Sequence, residues 1–258
     1  MTDVILSPHL DDAALSCWHL LTQPGEVLVI NVFAGVPESL SEPAWWDQYT
    51  GATDSAQRVR ERIDEDGRAL ALAGRAALNL DLLDEQYREA GQPVGPLTDQ
   101  VARLLPSGAE VYAPAALADH ADHVAVRAAA LQLRKRGFAV SLYADLPHAN
   151  VRGWPGWVTG GGAAASKNLA GAMWDRALAG TAIPPEEMAP TVHVLGAEAR
   201  SRKLEAVHRY ATQLQGLVEF AGRPLTDRET LGYEVVWTLP SVTTGSPVPA
   251  GDRAAPRP

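Results

Sequence analysis

Apolar runs of strand length alternate along this chain with stretches of helical period, and that alternation is its strongest constraint on folding. Strands separated by helices pair in parallel, because a parallel neighbour needs a crossover long enough to contain a helix. The strand-length runs are Val4–Ser7, Val27–Phe33, Ala77–Leu82, Glu110–Ala113 and Ala139–Tyr143. Between them, Ser55–Gly74 sets Val59, Ile63, Leu70 and Ala73 on one helical face, with Gly74 as a stop. His123–Arg136 repeats the pattern with Val126, Ala130 and Leu133, and Gly137 ends it. A closing unit runs from Thr191 through an amphipathic helix around Ala197–Gln215 to a strand near Tyr233–Leu239. The expected fold class is α/β, a mainly parallel sheet with helices on both faces.

At 258 residues, 46% of them hydrophobic, the chain can bury one substantial core. A single domain over residues 1–240 is expected, followed by a disordered Ser/Pro/Gly-rich tail over 241–258. Two segments break the rhythm: Pro37–Thr53, with Trp45, Trp46 and Tyr49, and Val151–Pro190, with Trp154, Trp157 and a run of glycines. Both exceed ordinary connections, which marks them as candidate lids or binding loops. The net charge of −9, without a Lys/Arg-rich run, speaks against nucleic acid as a partner. No stretch reaches the roughly 20 apolar residues of a membrane span. The opening MTDVILSPHLDD lacks the basic flank of a secretory signal, so a cytoplasmic location is expected. Cys17 has no partner for an internal disulfide and reads as a buried thiol.

In open parallel sheets, ligands bind beyond the carboxyl ends of the strands. Two polar clusters fall there: Ser7-Pro8-His9-Leu10-Asp11-Asp12 after the first strand, and Asp119-His120-Ala121-Asp122-His123 after the fourth. Together they can offer His9, His123 and one carboxylate to a metal, and two His with one carboxylate is a common catalytic zinc set. Each cluster alone has a plainer reading: an Asp-Asp pair before a helix is an ordinary N-cap, and a lone His-x-x-His is usually incidental. Their arrival at the same end of adjacent α/β units favours the metal.

At these residues the chain resembles the PIG-L/LmbE-like deacetylase superfamily, whose first strand runs into a Pro-His-Pro-Asp-Asp type motif; Leu10 here replaces the middle proline. Further family-like features follow in order: Arg62-x-x-Glu65, Leu82-Leu83-Asp84, His120-x-Asp122-His123, Tyr143-Ala144-Asp145-Leu146-Pro147, and Lys203-x-x-Ala206-x-x-x-Tyr210-x-Thr212-Gln213. The resemblance spans about residues 3 to 215. It implies a Rossmann-like three-layer sandwich, with His9, Asp12 and His123 as ligands to Zn²⁺ or another divalent transition metal. It also implies Asp11 as general base and His120 as the second catalytic imidazole. A tyrosine found in some relatives shortly before the His-x-x-His segment is absent, Ala116, Leu117, Ala118 and Asp119 standing there.

The expected activity is hydrolysis of an N-acyl group, an acetyl above all, from a small amino sugar or glycoconjugate, in the setting of bacterial specialised metabolism. Arg62, Asp84 and Asp145 are expected to contact substrate, while His19, His148, His193 and His208 are read as structural or exposed. A homo-oligomer is compatible with the sequence. The alternatives are a thiol-conjugate amidase of the same superfamily and a non-catalytic metal- or ligand-binding relative. A non-haem iron oxygenase could use the same ligand set, but Asp11 beside Asp12 suits hydrolysis better. Gly-x-Ser-x-Gly and Gly-x-Gly-x-x-Gly turns are both missing after the strands where a serine hydrolase or a dinucleotide enzyme would need them.

Overall fold

The computed structural model describes residues 1–38, 40–89, 92, 94–160, 169–222 and 224–242. The expected tail from residue 243 onward, and the glycines at 161 and 162, lie outside them. Strands β1 (Asp3–Ser7), β2 (Val27–Asn31), β3 (Ala77–Asn79), β4 (Glu110–Pro114), β5 (Ala139–Tyr143), β6 (Ala189–Val194) and β7 (Tyr233–Thr238) form one sheet in the order β3-β2-β1-β4-β5-β7-β6. All pairs from β3 to β5 are parallel, and β7 runs antiparallel to both β5 and β6. The helices are α1 (Asp12–Ser16), α2 (Trp18–Leu21), α3 (Trp45–Tyr49), α4 (Ser55–Ala71), α5 (Leu97–Ala102), α6 (Ala121–Lys135), α7 (Leu169–Ala179), α8 (Ala197–Val207), α9 (Leu214–Ala221) and α10 (Arg228–Leu231). None of the described helices is long and apolar enough to cross a membrane.

Strand parity explains the three layers. Val4, Leu6, Val111, Ala113 and Leu142 face one apolar cluster, which includes Val126 and Leu133 of α6 and Trp174 of α7. Ile5, Val29, Tyr112 and Tyr143 face the other, with Trp18 of α2, Leu70 of α4 and Ala206 of α8. Because both faces are covered, the central strands read as continuous apolar runs rather than alternating ones. The Rossmann-like α/β architecture expected from the sequence is therefore present.

The topology also creates the site. From β1 the chain proceeds outward to β2 and β3, then returns to the other side of β1 for β4 and β5. The connections leaving β1 and β4 diverge at this switch point and leave a crevice between them. Those two connections carry His9–Asp12 and Asp119–His123.

Several boundaries differ from expectation for identifiable reasons. β2 and β3 stop at Asn31 and Asn79, and only an isolated antiparallel bridge, Phe33 to Asp81, continues the pairing. Beyond it Gly35 crosses the Leu82 backbone so closely that an added Cβ would sit 2.9 Å from its carbonyl atoms. α6 starts at Ala121 rather than His123, because the His120 side chain caps it by accepting the Asp122 N–H. The single helix expected over Ala197–Gln215 is two, α8 and α9. Glu65 captures the Thr212 N–H at 2.9 Å and its hydroxyl at 2.7 Å, and Tyr210 donates to Asp66 at 2.8 Å, so side chains of α4 hold the break open.

Candidate metal centre and active site

Asp11 occupies the N-cap position of α1, yet its carboxylate makes no capping bond. The neighbouring Asp12 turns back instead, its Oδ2 accepting the His9 N–H at 2.8 Å. The same oxygen lies 3.5 Å from His9 Nδ1 and 3.5 Å from His123 Nε2. Donor atoms about 2.0–2.1 Å from a tetrahedral zinc are separated by about 3.3 Å, so these spacings suit one shared ion. His123 Nε2 is buried and has no hydrogen-bond partner, an orphan facing that position. His9, Asp12 and His123 thus form a buried group with donor atoms within 4.8 Å of one another.

The other nitrogen of each imidazole is already committed. His123 Nδ1 meets Asp145 Oδ2 at 2.8 Å, and His9 Nε2 meets Asp122 Oδ2 at 3.1 Å. Carboxylates accept, so each ring donates there and keeps a lone pair on the nitrogen facing the site. The two histidines accordingly offer opposite atoms, Nδ1 of His9 and Nε2 of His123. A second group, His9 with His120 and Asp122, also has metal-like spacing. It is the weaker candidate, since Asp122 also accepts from Arg88 and from the Glu85 N–H at 2.9 Å.

Electrostatics agree with a cation at this point. Burial disfavours charged imidazoles, but Asp84, Asp12 and Asp122 outweigh it at His9, and Asp12 and Asp145 do so at His123, raising both pKa values. A divalent ion can replace the protons that the unmetallated site attracts. Burial would raise Asp12, but His123 and His9 hold it below the ordinary carboxylate range. Asp11 goes the other way: burial and then the Asp12 charge push it up to about 6, against the pull of Arg62 and His9. Two consecutive carboxylates are thus split, one held charged and the other raised towards neutrality.

His120 and His148 complete the polar floor. Burial, and then the charges of His9 and His123, bring His120 down to about 4. Its Nδ1 accepts the Asp122 N–H at 3.3 Å, which puts the proton of the neutral ring on Nε2. His148, read from sequence as structural or exposed, lines the cavity, its ring edge-on to His123 at 4.9 Å between centroids. It follows β5 at the carboxyl end of the sheet, and that position is the signal that could have marked it. The other histidines lie elsewhere; His19 pairs with Glu234 and stacks on His193 at 3.7 Å.

The cavity, about 360 Å³, is lined by His9, Asp11, Asp12, Arg62, His120 and His123, with Asp84 beside them. Arg62 is buried, its Nε has no hydrogen-bond partner, and Asp84 stands 3.6 Å from its Nη1. Asp145 does not line the cavity; it is fully buried behind His123, so the expected substrate contact is corrected to support of that imidazole. The two candidate lids also separate. Trp45 and Trp46 of the 37–53 segment line the cavity. No described residue of 151–190 does, because Trp154 packs on Trp174 and Trp174 on Trp237 within the core. Sequence reasoning also missed Gln213 as a wall residue; its Oε1 accepts from Trp46 Nε1 at 2.8 Å.

Behind the site, Lys203 Nζ meets Glu234 Oε1 at 2.6 Å with both side chains fully buried. Glu234 also accepts the Trp18 and His19 N–H groups at 2.8 Å, tying α2 to β7. Through Glu234, Lys203 thus links α8 to β7 and to the start of α2.

Among solved structures, a triple mutant of a deacetylase involved in the teicoplanin biosynthetic pathway is 26% identical, with 95% of this chain and 100% of that one covered and a TM-score of 0.68. The zinc-inhibited form of teicoplanin deacetylase is 25% identical, covering 92% and 97%, with a TM-score of 0.68. The A40926 pseudoaglycone deacetylase is 27% identical, covering 92% and 96%, with a TM-score of 0.64. No curated protein matches the chain. Residues 4–134, about half of the chain, match the family described as PIG-L, GlcNAc-PI de-N-acetylase. That stretch contains both strand-end clusters that build the crevice, and the chain belongs to the PIG-L family.

Proposed function

We propose that this chain is a divalent-metal-dependent N-deacetylase, with zinc the expected ion, that frees the amine of a small N-acetylated amino sugar or glycoconjugate in specialised-metabolite biosynthesis. The observation that carries the reading is the orphaned His123 Nε2 beside Asp12 and His9, with Asp11 poised near neutrality at the same cavity. The similar structures, named as deacetylases of teicoplanin biosynthesis and of A40926 pseudoaglycone, support both the reaction and the setting.

His9, Asp12 and His123 would hold the divalent metal, which would supply Lewis-acid chemistry toward water and the amide carbonyl. Asp11 takes the proton of the attacking water and passes it to the departing amine, a task suited to a carboxyl that titrates near 6. Neutral His120 donates its Nε2–H to the carbonyl oxygen as negative charge develops there. Arg62 and Asp84, both in the cavity wall, hold substrate hydroxyls. Asp145 and Asp122 fix the two ligand rings and move no protons.

The test is acetate release across N-acetylated sugars and glycoconjugates, with the purified protein depleted of metal and reloaded separately with zinc and other divalent ions. One similar deacetylase is known in a zinc-inhibited form, so each ion is titrated rather than added in excess. Acetate release that needs the metal supports the reading, and undiminished release from metal-free protein overturns it.

A further inference from the structure

β6 is the outermost strand at its end of the sheet, paired on one side by β7. An edge strand opens at less cost than the strands inside, because one ladder and few side chains hold it. Ala189, Pro190, Thr191 and Val194 of β6 are exposed, and only Val192 and His193 are half-buried. Val192 packs against the apolar cluster that contains α6 and α7. Successive strand residues face opposite sides, so His193 is the anchor of β6 on the other face.

That anchor is a pair of stacked imidazoles. His193 stands opposite Glu234 in the β6–β7 register, and its ring lies on that of His19 from α2, with 3.7 Å between centroids and 17° between planes. His19 is itself fixed: its Nδ1 meets Glu234 Oε2 at 2.5 Å, and the same oxygen accepts the His19 N–H at 2.8 Å. Two titratable rings therefore join the edge strand to the helical layer.

The charges around the stack limit how many protons it can take. Glu234 of β7 and Lys203 of α8 form a fully buried pair 2.6 Å apart and offset each other. Asp3 of β1 is a further carboxylate that acts on His19. Cys17, at the start of α2, stays a neutral thiol, since burial and then Glu234 push it up. One proton on the stack is thus matched by Asp3, and a charged ring can lie on a neutral one. A second proton puts like charges face to face at 3.7 Å, where the carboxylate acting on His193 is the one already paired with Lys203. Burial, and then the charge of His19, accordingly hold His193 below the ordinary histidine value against the pull of Glu234. A histidine depressed on folding stabilises the closed strand above its unfolded value, near 6.5, and that stability is lost as pH falls from there.

We propose that the His19–His193 stack is a pH-operated latch, which holds β6 against α2 near neutrality and releases it in acid to uncover the outer edge of β7. The latch shares no residue with the metal centre and does not depend on the deacetylase reading. Hydrogen exchange of the full chain, followed by mass spectrometry at pH 7.5, 6.5 and 5.5 and corrected for the chemical exchange rate at each pH, tests it. Peptides covering residues 189–195 are expected to lose protection below about pH 6.5, by up to about tenfold per pH unit for one proton taken up. Peptides of β1 and β4 should keep theirs. His193→Phe retains a stacked ring that takes no proton, and its β6 peptides should be equally protected at pH 7.5 and pH 5.5. Circular dichroism at pH 7.5 verifies that this variant folds, and the parent profile is decisive by itself if it does not. β6 protection that stays constant in the parent chain overturns the latch. So does an equal loss in β1 and β4, which is general acid unfolding, or a loss that persists in His193→Phe.

Discussion

Asp145 reaches His123 Nδ1 at 2.8 Å from a position with no solvent exposure, while its other carboxylate oxygen accepts the Leu117 N–H at 3.2 Å. It therefore fixes the ring on one side as Nε2 faces Asp12 on the other. Asp145→Asn keeps the volume and removes the charge, and the fold should survive. Metal affinity should fall about 10–100-fold, the usual effect of losing such a partner. Competition with a chelator of known affinity measures it; unchanged affinity would show that Asp145 serves packing alone.

Metal removal should abolish turnover. His9→Ala and His123→Ala should each bind less than one equivalent of metal under conditions where the parent protein is saturated, since each leaves two ligands of a three-ligand site. Elemental analysis alongside acetate release checks this. If metal stays at one equivalent in His123→Ala but is lost in His9→Ala, His9, His120 and Asp122 become the group to test; retention in both variants overturns both groups.

The adjacent aspartates separate in a third experiment. Asp12→Ala should lose metal and activity together. Asp11→Asn should keep metal while turnover falls by roughly 10²–10⁴-fold. Because Asp11 must be ionised to accept a proton, the parent enzyme should lose activity as pH drops through about 6 or below, the bound cation favouring the ionised form. The residual activity of Asp11→Asn should lack that acid limb. A variant with near-normal turnover would leave Asp11 no role as base.

The sequence was informative where the chemistry is local. His9, Asp11 and Asp12 sit within four residues, and both clusters follow strands whose apolar runs are plain, so residue order alone places the crevice. It was opaque where the site depends on surfaces far apart in sequence. Asp145 shares the strand-end position of a substrate contact, and only the packing of β5 beside β4 turns it behind His123. His148 lacked a motif because its contribution is a ring edge supplied through the fold. The Val151–Pro190 aromatics resembled those of Pro37–Thr53 in composition, yet Trp174 is claimed by Trp237 of β7 while Trp46 is claimed by Gln213 at the cavity. Composition could not assign those partners.

The last prediction concerns stability and is separate from the metal. Burial would raise the Glu234 carboxyl, but Lys203 and His19 outweigh it and bring it down to about 2. A carboxylate depressed on folding contributes stability that is present above its unfolded pKa, near 4.3, and is lost as pH falls from there towards 2. Glu234→Gln should therefore flatten the acid branch of the stability curve between about pH 4.5 and 2, while costing about 3–5 kcal/mol at neutral pH by leaving Lys203 buried without its counter-ion. Urea midpoints measured from pH 7 to pH 3 read both effects. The double variant Lys203→Met with Glu234→Leu removes the stranded charge and should recover much of the loss. Recovery should stop short of the parent by about 0.5–2 kcal/mol, because Glu234 also satisfies the Trp18 and His19 N–H groups at the start of α2. If Glu234→Gln leaves both the neutral-pH midpoint and the acid slope unchanged, the buried ion pair contributes nothing to stability and Lys203 is not a brace.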